Sequence, residues 1–192
     1  MIRWVLVLGL LLTPAPAHAV PASAEPACPS QFDARASTAR FVVAVRLPFR
    51  AEGHFPQVTG VFRLLADGAC EVDVELDAST IVFDGPEWLA KLTRSPAFLD
   101  VEAHPRARFV STAFPLKHLN EGGPLHGRLT LRGRERAVEF HLSPASCATP
   151  GHGCPLRVMG ELSRKSFGMQ AHRLTVKDAV RIEFLILLEP SP

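Results

Sequence analysis

Residues 92–112 read LTRSPAFLDVEAHPRARFVST, a helix end and a strand joined through two proline-set turns. Ser95-Pro96 stops the preceding helix, because proline has no N–H to donate and its ring disfavours helical geometry in the residue before it. Phe98 and Leu99 follow as an apolar pair, and Pro105 removes the helical option a second time. From Arg106 charged and apolar residues alternate, in a run rich enough in strand formers to pair. The local reading is a lid hinge on a β-barrel, which requires the flanking chain to be built of strands.

Upstream, Cys70, Val72, Val74 and Leu76 alternate with Glu71, Asp73, Glu75 and Asp77, so one face of a strand is apolar and the other acidic and wet. Four acids along one strand do not converge on a metal, so they read as an outer face. Ala39, Phe41, Val43 and Val45 give an earlier strand, and Val58 to Leu65 another, closed by the turn dipeptide Asp67-Gly68. Arg50 to Gln57 between them reads as a turn-rich gap. Asp84 to Thr93 is the one convincing helix, with Asp84 as cap, Pro86 early, and Trp88, Leu89 and Leu92 as its apolar stripe.

Downstream, Phe114 to Leu119 reads as a short strand and residues 120–124 as a turn. Leu125, Gly127, Leu129 and Leu131 then share a face and form a hairpin with Val138, Phe140 and Leu142 around Gly133. Arg157 to Ser163 is a further strand, Ser166-Phe167-Gly168 a bend, and Val180 to Leu188 the last strand. Some eight to ten strands with hairpin-length connections predict an antiparallel all-β fold. A closed β-barrel of about eight strands, lipocalin-like, with a short helix over one end, removes the exposed edges such a sheet would otherwise have. A sandwich satisfies the same periodicity.

The 192 residues suit one domain. Arg3, the apolar run Val5 to Leu12 and Ala17-His18-Ala19 predict a secretory signal peptide over residues 1–19. A spanning helix needs about 20 apolar residues, and Pro14 and Pro16 interrupt this run. Residues 20–31, rich in Pro, Ala and Ser, read as a flexible arm, and residues 32–190 as the domain. Removing residues 1–19 takes away Arg3 and no acid, leaving 20 basic against 19 acidic side chains. That balance carries no nucleic-acid signature. Four cysteines in an exported chain favour disulfides; three pairings are possible, and the loop-like ATPGHG segment favours Cys147 with Cys154, leaving Cys28 for Cys70. A metal site using His152 lacks paired metal-ligand spacing.

In order and spacing, residues 92–112, GRLTLRG with VEFHL at 127–133 and 138–142, and RKSFGM at 164–169 resemble the YceI-like family. The resemblance covers Phe32 to Glu189. It implies an exported, periplasmic barrel that binds a long-chain isoprenoid, a quinone-like lipid or another amphiphilic chain, with no cofactor of its own, in transient contact with a membrane and open to homodimer formation. The family's acid and histidine before the signature are replaced here by Leu89 and Lys91, and its second phenylalanine by Leu99. The segment should therefore shape a pocket and not catalyse.

Alternation places Phe41, Val43, Val45, Val72, Val74, Leu76, Leu129, Leu131, Phe140, Ile182 and Phe184 inside the barrel. Either a solid core or a cavity satisfies that pattern, and the resemblance implies the cavity, with Phe98 and Phe109 as further contacts. The chain has 12 Phe and no Tyr, which suits apolar contact with few directional bonds. Arg94, Arg106 and Arg108 are the expected partners of a polar head group. A hydrolase is the weaker reading: Ser79, Ser95 and Ser111 with His104, His126 and His141 form no nucleophile motif. A metal held by His126 and His141 across their hairpin is weaker than solvent exposure of both. An envelope interaction or stress-response module with a filled barrel is the third reading.

Overall fold

The computed structural model of the protein describes residues 31–45 and 50–190. The expected signal peptide, the arm up to residue 30, and Cys28 lie outside those residues. Strands β1 (Thr38–Val45), β2 (Arg50–Phe55), β3 (Thr59–Leu64), β4 (Ala69–Asp77) and β5 (Val82–Phe83) precede helix α1 (Glu87–Arg94). Then follow β6 (Arg106–Ser111), β7 (Phe114–Pro115), helix α2 (His118–Glu121), β8 (Gly123–Leu131), β9 (Arg134–Leu142), β10 (Leu156–Ser163) and β11 (Val176–Ile186).

All eleven strands form one antiparallel sheet in the order β3-β4-β6-β8-β9-β10-β11-β1-β2-β5, with β7 paired to β4. The sheet curls around an apolar interior, as the alternation demands when one face is buried. Closure is approximate, because the ladder ends at β3 and β5. Gln31 and Phe32 reach across the seam: Gln31 bridges Val61 of β3, and Phe32 bridges Leu188 just beyond β11.

Three local readings change. Residues 50–55 form strand β2 instead of a gap, pairing with β1 from Ala39↔Phe55 to Ala44↔Arg50. Gly53 hid its pattern. A Cβ there would lie 2.5 Å from the Phe41 ring, so the glycine makes room for a neighbour's side chain. Helix α1 starts at Glu87 with Pro86 in the cap position and no side-chain cap; Asp84 instead lies 3.9 Å from His54 Nδ1. The segment read as a short strand and turn contains α2, which ends at Gly122 with φ 76°.

The acidic face of β4 is ion-paired as well as wet. Asp73, its side chain 11% exposed, accepts from Arg108 Nε and Nη2 at 2.8 and 2.6 Å and from Arg63 Nη2 at 3.2 Å. The Arg108 hydrogen bonds, outweighing burial, hold the Asp73 carboxyl below the usual carboxylate range. Cys147 and Cys154 are bonded, with Cα atoms 6.0 Å apart. Cys70 is fully buried and also disulfide-bonded; Cys28, its expected partner, lies outside the described residues.

A cavity above a phenylalanine floor

The upper half of the barrel encloses a cavity of about 830 Å³. Its walls combine short aliphatic residues that alternation turns inward, such as Val43, Leu76, Ala107, Leu131 and Ile182, with the rings of Phe41, Phe55, Phe83 and Phe167. One side of α1 faces it through Leu89 and Leu92, while Trp88, 61% exposed, stands at its edge. Arg50, Asp84, His172 and Thr175 are its polar lining residues besides Thr93 and Arg164, and the exposed ones among them mark the mouth.

Phe109, Phe140 and Phe184 form the floor. Phe109 and Phe140 meet edge to face at 5.0 Å between centroids, and Phe140 and Phe184 at 5.8 Å, the geometry their ring quadrupoles prefer. Beneath them a second space of only about 50 Å³ is bounded by Phe32, Phe62, Phe114, Leu125, Leu142 and Leu156. The same three rings line both spaces.

Polar clamps hold the wall on the side of residues 92–112. Arg164, 2% exposed, donates from Nε to Lys177 O at 3.0 Å, from Nη1 to Met169 O and Ala171 O at 2.8 Å each, and from Nη2 to Val176 O at 3.0 Å. A buried guanidinium is tolerable when its fork is so occupied, and burial still lowers its pKa. Its guanidinium carbon lies 5.8 Å from the Phe98 centroid, and the His172 ring stacks on Phe98, also at 5.8 Å. Arg132 donates to Gly168 O at 2.5 Å and to Pro96 O at 2.6 Å. The three stretches that carried the family resemblance therefore meet at Phe98 and Arg132. Asp178 completes the 164–167 turn: burial raises its pKa, but bonds from the Ser163 hydroxyl and Lys165 N–H bring it to a net lowering.

Phe41, Val43, Val45, Val74, Leu76, Phe98, Phe109, Leu129, Leu131, Phe140, Ile182 and Phe184 all line the large cavity; Val72 lies below the floor and lines the small space. The arginines are placed otherwise. Arg106 and Arg108 project from the outer face of β6, because Ala107 and Phe109 take the inner one, and they pair with Glu75 and Asp73. Arg94 commits Nη2 to Ile81 O at 2.7 Å, tying α1 to the barrel rim. None of the three lines the cavity. Arg164 was within the RKSFGM motif, but nothing in the sequence pairs it with four carbonyls or points to Arg50 and His172.

The other candidate groups have local duties. The Ser111 hydroxyl accepts from Val72 N at 2.9 Å, satisfying a buried amide. Ser79 donates to Asp77 at 2.6 Å, and Ser95 to Leu92 O at 2.6 Å. His126 faces Glu139 across the hairpin, while His141 faces Pro124; the two imidazoles are not opposite each other. Among the described residues no group of three or more His, Cys, Asp and Glu is arranged to hold a metal.

A family model for the YceI-like domain matches residues 31–188. The fold is similar to that of Burkholderia cenocepacia BcnA, at 20% identity and TM-score 0.65 over 81% of this chain and 98% of that one. It is also similar to a polyisoprenoid binding domain from Saccharophagus degradans implicated in plant cell wall breakdown, at 13% identity and TM-score 0.62 over 81% and 95%. A Campylobacter jejuni YCEI protein follows, at 14% identity and TM-score 0.58 over 72% and 85%. No curated protein matches the present chain.

Proposed function

The chain belongs to the YceI-like domain family, and from that premise we propose that it is an exported binding protein that holds a long isoprenoid-type chain in the barrel with its polar end at the mouth. The observation that carries this reading is the cavity of about 830 Å³ with almost wholly apolar walls. Such a volume lies in the range of small-molecule sites, and an apolar chain filling it would gain about 25 cal/mol per Å² of surface removed from water. The similarity of fold to a polyisoprenoid binding domain supports the choice of ligand.

Arg106 and Arg108 face outward, so the head group falls to Arg50, Asp84, His172 and Thr175. The Cys147–Cys154 disulfide supports export into an oxidising compartment such as the periplasm. Trp88 at the mouth, and Val82 and Leu174 beside lining residues, are exposed at 61%, 40% and 78%. Exposed apolar side chains around an apolar opening favour brief contact with a membrane from which the chain is drawn. Binding, not catalysis, is the activity this arrangement serves.

Organic extraction and native mass spectrometry of protein purified from its own host test the reading. A copurifying isoprenoid, with saturable uptake of isoprenoid probes by the emptied protein, is the expected result. An empty barrel with no affinity for such probes overturns it.

A further inference from the structure

We propose that the Phe109–Phe140–Phe184 floor is a length gauge that limits the bound chain to about four or five isoprene units; this rests on the isoprenoid reading above. At about 30 Å³ for each water-sized group, a cavity of about 830 Å³ has a ceiling of about 28 such groups. A twenty-carbon chain with a small head group fits beneath that ceiling, and a forty-carbon chain exceeds it.

The floor is built to stay closed. The Phe140 ring lies against Gly160, where a Cβ would fall 2.3 Å from it, and the Phe109 ring lies against Gly127, where a Cβ would fall 2.5 Å away. Each ring therefore occupies the space of a missing side chain on the next strand and packs directly on backbone. Phe140 is 2% exposed and touches both other rings. The space below, about 50 Å³, has room for only one or two further groups, so a chain tip gains nothing by reaching it unless a ring is removed.

The test is a titration of the full protein with all-trans isoprenoid alcohols of two, three, four, five and eight units, read by native mass spectrometry and by displacement of a fluorescent apolar probe. Affinity should rise at least about tenfold per unit up to four or five units and then stop rising, so that eight units bind no better than five. In Phe140→Ala the break should move by about one unit, since the lost ring joins the two spaces. Phe140→Leu, which keeps an apolar side chain, gives a smaller shift in the same direction and serves if the alanine variant does not fold. A rise continuing to eight units in the unaltered protein, or a break that stays in place in the folded variant, overturns the gauge while leaving the lipid reading intact. Absence of binding at every length overturns both.

Discussion

The two halves of the barrel are built from the same strands, but one is filled to its centre and the other only along its wall. Below the floor, Phe32, Phe62, Phe114, Leu142 and Leu156 fill the interior, and apolar packing is the cement. Above it, Phe41 packs against Phe55 and Phe83, and Ile81, Leu99 and Phe167 are buried in the wall, but Val43, Val45, Ala107, Val176, Val180 and Ile182 are too short to fill the centre. Besides that packing, the half is held at its rim by hydrogen bonds from Arg164, Arg132 and Arg94 to backbone carbonyls. A hollow half cannot draw stability from its own centre, so its wall depends on packing between neighbouring lining residues and on these bonds.

Four substitutions would break or sharpen that contrast. Phe140→Ala, at the boundary, should cost about 3–5 kcal/mol in urea unfolding, because the ring packs on backbone and two other rings and its loss enlarges a void. Arg164→Leu should cost about 3 kcal/mol although the new residue is apolar, since four carbonyls lose a charged donor; proteolysis should then nick residues 164–176 first. A loss below about 1 kcal/mol there would show that the hollow half does not depend on its clamps. Leu131→Ala should cost only about 1 kcal/mol, less than a packed leucine, because the side chain borders space that is already empty. Its effect should appear as weaker chain uptake.

The smallest effect concerns the outer face. Asp73→Asn should destabilise by about 0.5 kcal/mol at neutral pH. The folded-state pKa of Asp73 is depressed, so its contribution is complete above the unfolded value of about 3.9. It is lost as pH falls through the lower folded value. Denaturation curves of the two proteins should therefore converge in acid, and the neutral-pH gap should narrow in high salt.

Much of the inside–outside pattern is legible without the structure. In β1, β4, β8, β9 and β11 the two-residue period assigns most side chains to a face, and Phe41, Val43, Leu76, Leu129 and Ile182 line the cavity as it requires. β2 escaped because Gly53 and the charged residues beside it carry no apolar signal; the demand for glycine comes from Phe41 on the neighbouring strand. Arg106 and Arg108 were expected at a mouth because a sequence shows their charge and not their side of β6, though alternation with Ala107 and Phe109 already contained the answer. Val72 shares a face with Val74 and Leu76 but lies on the other side of the floor.

By itself the sequence determined the antiparallel all-β class, which depends on local periodicity, and it favoured the Cys147–Cys154 link among three pairings because the two residues lie close along the chain. Only the tertiary structure decided that the upper half is hollow and the lower half filled, that three distant segments meet at Phe98, and that Arg164 is a clamp. The physical reason is that a void, a ring seated on another strand's glycine and a guanidinium shared by four carbonyls depend on distances across the barrel, which alternation along a strand does not encode.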